Sequence, residues 1–232
     1  MKHVTVIQHT QSEWLGHIED HLEARGVRFG YVRPFAAGGR IPKPTTIGDG
    51  LILVGGGPWG TASAGYALPT LAEEISLVRA CLMLDKPVLA MGLGAQILSL
   101  AADGKTEATP LTFTVGNAHR TFRGALDGYL PEAFPQIIYM RDRPIPAHYA
   151  DILAVDAQGH PMAFQIGKNV FGFNGHLGLR RAMIEDLIME FEDHPENTIV
   201  NLEALADVGA DIEDALVPIM TGLVHLTQWM SS

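Results

Sequence analysis

The chain has 232 residues, of which 47% are hydrophobic and 18% charged, and its formal net charge is −10. That composition is too apolar for a disordered chain. The acidic balance excludes nonspecific nucleic-acid binding, which needs a basic footprint, and disfavours an anionic membrane surface as a partner. A single cysteine, Cys81, excludes an intrachain disulfide framework and any multi-cysteine metal site.

In chain order, Val4 to Gln8 reads as a short strand, and Glu13 to Arg25 as a helix with Ser12 as N-cap and Gly26 as its stop. A second strand is expected over Val27 to Val32, followed by a Pro-, Gly- and Thr-rich loop over 34–48. Leu51-Ile52-Leu53-Val54 is a continuous apolar run of the kind buried on both faces of a parallel sheet, and it ends in Gly55-Gly56-Gly57-Pro58. Leu71 to Leu84 reads as a helix with Leu71, Ile75, Val78 and Leu82 on one stripe, Pro87 to Met91 as a buried strand, and Leu93 to Ala102 as a helix. Short strands are expected near 111–115, 136–140, 152–155, 161–165 and 168–173, then a helix over 179–192. The segment 198–232 reads as a C-terminal helical extension, with Pro218 expected to break or kink it.

The alternation of strands and helices predicts one α/β domain over 1–232: a doubly wound, mostly parallel sheet with flanking helices, in flavodoxin-like layering, and a small antiparallel extension. The N-terminus lacks a long apolar stretch with a cleavage site, and no apolar run reaches 18 residues, so a cytoplasmic protein without a spanning helix is expected. Ten histidines are scattered along the chain; the pair His17/His21 shares a helix face but has no third ligand nearby in sequence, so no metal and no cofactor is expected.

The segment Lys86 to Gln96 runs from a buried strand through a tight turn at Gly92 into a helix, the layout of a nucleophile elbow. It resembles class I glutamine amidotransferases, which carry Lys-Pro, an apolar strand, Gly-x-Cys-x-Gly-x-Gln and an apolar helix. The resemblance places Ala90 at the first glycine, Gly92 at the nucleophilic cysteine, Gly94 at the second glycine and Gln96 at the glutamine. Asp49 to Pro58 is similar to that family's strand and Gly-Gly-Pro loop, which implies an oxyanion and ligand pocket built from Gly55, Gly56, Gly57, Leu93, Gln96 and Asp142. Val170 to Gly178 is similar to Gly-x-Gln-Phe-His-Pro-Glu, which aligns His176 with the catalytic histidine and Gly178 with the glutamate that orients it. Tyr139-Met140-Arg141-Asp142 and Ala163-Phe164 are weaker matches, and the likeness spans about 49–180.

The departures from the pattern carry the functional expectation. Gly92 offers no thiol and Gly178 no carboxylate, so only His176 of the triad is present. Losing such a unit in a serine protease costs on the order of 10⁴–10⁶ in kcat. The resemblance with these departures implies a noncatalytic binding or regulatory relative, holding a small molecule in the old pocket or a synthetase-type protein partner. The alternative is an amidotransferase- or hydrolase-type enzyme of altered chemistry, built on His176 with Asp142 and an unidentified nucleophile. Cys81, eleven positions before Gly92, reads as a core residue; Ser99 lies too far along its helix, and Thr61 and Ser63 follow the glycine loop. That loop lacks both the P-loop ending and the Gly-x-Gly-x-x-Gly spacing. Leu202, Leu205, Ile212, Leu216, Ile219, Leu223, Leu226 and Trp229 form an apolar stripe that must pack on the chain's own sheet or form a homodimer contact.

Overall fold

Residues 1–230 are described by a computed structural model. The strands are β1 (His3–Ile7), β2 (Arg28–Val32), β3 (Gly50–Leu53), β4 (Val88–Met91), β5 (Lys105–Glu107), β6 (Thr112–Arg120), β7 (Ala133–Met140), β8 (Arg143–Ile145), β9 (Asp151–Val155), β10 (Pro161–Ile166) and β11 (Val170–Phe173). The α-helices are α1 (His17–Ala24), α2 (Leu71–Met83), α3 (Leu93–Ala101), α4 (Arg181–Glu190), α5 (Thr198–Asp207) and α6 (Gly209–Thr227).

A nine-stranded sheet has the order β2-β1-β3-β4-β11-β10-β9-β6-β7. From β2 to β11 every pairing is parallel, and from β11 to β7 every pairing is antiparallel. The antiparallel extension supplies β10, β9, β6 and β7, and β5 pairs separately with β8. Both strands of that outlying pair have only three residues, too short to show a period of two in the sequence.

The continuous apolar runs are resolved into two faces by the pleat. Val4, Val6, Ile52, Val54, Leu89, Met91, Phe171 and Phe173 join α1 and α6 in one core cluster. Leu51, Leu53, Val88, Ala90 and Val170 join α2 and α3 in another. A third cluster packs Phe113, Ile137 and Tyr139 of the antiparallel half against α4 and α5. Each fully buried Leu, Ile or Val contributes roughly 1.5–3 kcal/mol relative to an exposed one, so the central strands cannot slip register without exposing one of these clusters.

Several boundaries differ from expectation, each for a local reason. The first helix starts at His17 with Gly16 as its N-cap, because residues 8–16 form a folded loop rather than a helical turn. The buried face of α2 carries Glu74, Leu77, Val78 and Cys81, with Leu71, Ile75 and Leu82 only partly buried. Cys81 is fully buried, and burial pushes its thiol up to about 11 despite the nearby Lys86. The C-terminal run breaks at Val208, and α6 continues through Pro218. Ser231 and Ser232, the last residues of the expected extension, lie outside the described residues.

The C-terminal stripe is buried within the chain. Leu205, Ile212, Leu216, Ile219, Leu223 and Trp229 are all buried, and Leu202 and Leu226 pack partly buried against the same clusters. An apolar face already covered by its own sheet is not free to form a dimer contact.

Candidate functional site

In a doubly wound sheet the ligand crevice lies outside the carboxyl ends of the strands, where the connections diverge to either side. Here β1 is flanked by β2 and β3. The loops that leave β1, β3, β4 and β11 (residues 8–16, 54–60, Gly92 and 174–180) gather at that end.

Gly92 sits between β4 and α3 with φ 56° and ψ −119°. Its N–H donates to the Phe173 carbonyl at 3.0 Å, which fixes the turn against β11. The left-handed conformation is easy for glycine and strained for any side chain. A Cβ placed there would lie 3.2 Å from the Gly55 Cα, so the elbow faces the glycine loop at close range. Gly56 in turn faces the Leu93 side chain, and Gly55, Gly56, Gly57, Leu93 and Gln96 are all buried.

The space beside the glycine loop holds a carboxyl group from the β1–α1 loop. Glu13 is only 2% exposed; its Oε2 accepts the Gly57 N–H at 2.5 Å, and its Oε1 lies where a Gly55 Cβ would project. Thr10 Oγ1 accepts the Glu13 N–H at 3.1 Å. Glu190 of α4 anchors the same loop, accepting Gln11 N–H at 3.2 Å, Ser12 N–H at 3.0 Å and Ser12 Oγ–H at 2.5 Å. Burial pushes the Glu13 carboxyl up to about 7, against the Gly57 hydrogen bond and the His9 charge.

That shift has a measurable consequence. Unfolding returns the Glu13 carboxyl from about 7 to its ordinary 4.5, so the folded chain binds this proton more tightly. Stability from this group is then fully present below the unfolded value and falls as pH rises through the folded one, by roughly 3 kcal/mol for a shift of this size. Glu13→Gln should remove that fall, so urea unfolding at about pH 5 and about pH 8 should show the variant gaining on the wild type as pH rises. Parallel pH profiles for the two proteins would show that the carboxyl is unperturbed.

Behind Glu13 lies a buried ion pair. His9 and Glu74 side chains are both fully buried, with Nε2 and Oε2 2.7 Å apart. His9 Nδ1 lies 3.0 Å from the Val54 carbonyl and 3.1 Å from the Gly55 carbonyl, so it must donate there. With Nε2 against the Glu74 carboxyl group, the surroundings favour the protonated ring. Burial opposes the charge on His9, but Glu74 and the Gly55 carbonyl outweigh it and leave its pKa raised. Thr70 Oγ donates to the second Glu74 oxygen at 2.6 Å. His9 thus clamps the glycine loop to α2.

His176 is held elsewhere. Its Nε2 donates to the Trp14 carbonyl at 2.5 Å and its Nδ1 accepts the Gly178 N–H at 3.2 Å. Burial lowers its pKa to about 4, although the Trp14 hydrogen bond favours the charged form. Both ring nitrogens are engaged with backbone. Gly178 leaves no room for a side chain: a Cβ there would press on the Leu15 carbonyl at 2.7 Å and the Ile18 amide at 2.8 Å. Its own carbonyl accepts the His17 N–H at 2.9 Å at the start of α1. The β1–α1 loop packs directly against Gly178.

Asp142 forms no pair with His176. Its Oδ2 accepts Thr61 and Ala62 N–H groups at 2.7 Å each and Ser63 N–H at 3.0 Å, while Oδ1 accepts Thr109 N–H at 3.2 Å and the Ser63 hydroxyl. Burial would raise its pKa, but these hydrogen bonds hold it below the usual carboxylate range. Gln96 is also spent internally, accepting Thr61 Oγ–H at 2.7 Å and donating to the Arg141 carbonyl at 2.7 Å. Thr61 thereby donates to the Gln96 amide oxygen, which is no base, and Ser63 to the Asp142 carboxylate, a weak base already satisfied by backbone N–H groups.

A cavity of about 90 Å³ borders His9, between Phe35, Trp59 and Leu68. Ligand pockets run to roughly 300–1,000 Å³, so this one is too small for an amino-acid amide with its catalytic surroundings. Among the described residues no group of three or more His, Cys, Asp or Glu side chains is placed to hold a metal ion. His21 Nδ1 lies 3.1 Å from the Arg25 guanidinium, which opposes a cation at the His17/His21 face.

Glu13, His9 and Glu74 were not singled out from the sequence. Reading Glu13 into a surface helix hid it; the usable signal was its position just after the carboxyl end of β1, where a doubly wound sheet places its site.

No family model matches the chain, and no curated protein matches it. Solved structures do. The chain is similar to a glutamine amidotransferase from Methylobacillus flagellatus, with TM-score 0.81 and 18% identity over 100% of this chain and 96% of that one. It is similar to SMU.1228c, with TM-score 0.80 and 22% identity over 97% and 99% of the two chains. A glutamine amidotransferase from Thermotoga maritima superimposes with TM-score 0.78 and 18% identity over 98% of each chain. The fold is therefore that of the class I glutamine amidotransferases, an α/β sheet flanked by helices. No helix of the described residues is long and apolar enough to cross a membrane.

Proposed function

We propose that this chain is a noncatalytic relative of the class I glutamine amidotransferases, a binding or regulatory domain whose former reaction pocket is closed by its own β1–α1 loop. The observation that carries this reading is Glu13: its carboxyl group occupies the Gly57 amide in the glycine loop that Gly92 faces through Gly55, where an oxyanion would need free N–H donors. Two further features support it. Gly92 supplies no nucleophile, and the His176 ring is bound to the Trp14 carbonyl and the Gly178 amide. The scaffold that remains would serve recognition, of a small molecule or of a synthetase-type protein partner.

The test is ammonia and glutamate release from glutamine. The wild type is expected to give none above a no-enzyme control. Gly92→Cys is expected to give none either, because the Gly57 amide is taken by Glu13 and both His176 ring nitrogens are bound to backbone. Wild-type turnover abolished by His176→Ala would overturn the reading, as would efficient turnover by Gly92→Cys alone.

A further inference from the structure

At the opposite end of the sheet, beside the amino end of β1, lies a cavity of about 1040 Å³. Its walls come from the end of α1, the end of α6 and the turn before β7, and include Lys2, Arg25, Tyr129, Val224, His225 and Gln228. The chain carries 16 Lys and Arg against 26 Asp and Glu, yet none of the residues lining this cavity is acidic. With no acidic side chain in its wall, the hollow can draw an anion wherever one of its basic groups is left without a carboxylate partner.

The charges there are not equivalent. Lys2 Nζ is 3.0 Å from Asp49 and His225 Nδ1 is 3.3 Å from Asp127, so both already face a carboxylate. Arg25 does not. Its NH1 donates to the His21 carbonyl and its NH2 to Thr221 Oγ, at 3.1 and 3.2 Å. Among the described residues no carboxylate forms an ion pair with it. These neutral acceptors orient the guanidinium without neutralising it, and a planar guanidinium is suited to two-point binding of an oxyanion. Around it the wall is apolar or aromatic: Val224, Ala24, Met230 and the Tyr129 ring. Ligand pockets combine a mostly apolar lining with a few placed polar groups, and this one has that division.

The structure assigns this cavity as a binding site for a small organic oxyanion, with its carboxylate or phosphate on Arg25 and an aromatic or short aliphatic body against Val224 and Tyr129. The site stands apart from the elbow, so it holds or fails independently of the noncatalytic reading.

The experiment titrates full-length protein, by ¹H–¹⁵N spectra and calorimetry, with benzoate, phenyl phosphate, inorganic phosphate and uncharged benzyl alcohol. Benzoate or phenyl phosphate is expected to shift amides of residues 24–26 and 221–228 while those of 55–57 and 92–96 stay in place. Inorganic phosphate and benzyl alcohol, each lacking one half of the ligand, should bind at least about tenfold more weakly. Arg25→Gln should lower affinity by a similar factor. Because Arg25 also ties α1 to α6, Gln228→Asp provides a second arm: it adds a negative charge at an exposed left-handed position that aspartate tolerates, and it should repel the same probes from a folded protein. The assignment is overturned if neither anion moves the 221–228 amides at millimolar concentration, if benzyl alcohol binds as well as benzoate, or if both variants bind like the wild type.

Discussion

Replacing Leu223 by glutamate is expected to leave no stable native protein. Leu223 is fully buried in α6, in the cluster that joins Leu126, Leu216, Val224 and Trp229 to the central strands. The substitution forfeits roughly 1.5–3 kcal/mol of burial and places an unpaired carboxylate in an apolar core, which costs several kcal/mol more even after relaxation. A domain with about 5–15 kcal/mol of total stability has little left after that. Urea unfolding and sedimentation should show an unfolded or aggregated chain. Val217→Glu is the control on the same helix: Val217 is 53% exposed, and its change should stay within about 0.5 kcal/mol. If Leu223→Glu gave a well-folded monomer from a wild-type dimer, the stripe would be an interface and its burial in the monomer would be wrong.

The second large effect concerns the clamp at the glycine loop. His9→Ala would leave Glu74 buried without its partner, and breaking one side of a buried ion pair costs about 3–5 kcal/mol. Glu74→Ala would leave His9 buried without its partner in the same way. Removing both groups as His9→Leu with Glu74→Leu should recover much of the loss, since an apolar pair leaves no orphaned charge. With the single variants His9→Leu and Glu74→Leu added, the double-mutant cycle measures the coupling. The raised pKa of His9 sets the pH dependence. Its stabilisation is fully present below the ordinary histidine value and is lost as pH rises through the raised folded one, so the His9→Ala deficit should narrow in alkaline solution. A single-variant loss below about 1 kcal/mol would place the pair nearer water than its burial implies.

The two clamps together hold the glycine loop from both sides. His9 holds the Gly55 carbonyl from one side, Glu13 holds the Gly57 amide from the other, and Glu190 fastens the loop that carries Glu13. None of these groups lies in the three motifs by which the chain resembles the amidotransferases. All depend on a β1–α1 loop that folds inward over the elbow.

What the sequence by itself determined is the parallel half of the fold and the turn at its centre. Runs such as Leu51 to Val54 and Val88 to Met91 are apolar at every position, which is stable only between two covered faces, and a strand leading through Gly92 into an apolar helix leaves one backbone solution. The short outlying strands β5 and β8, and the break at Val208 rather than at Pro218, carried no such periodic signal. Only the tertiary structure decided the chemistry of the site. Glu13 contacts Gly57 across 44 residues, His9 meets Glu74 across 65, and His176 meets Trp14 across 162. Local pattern reports which face of an element is apolar, whereas a buried carboxyl, its proton and its partner are set by groups brought together from distant segments. For that reason the sequence located the turn at Gly92, and the packing of residues 8–16 determined which groups surround the glycine loop.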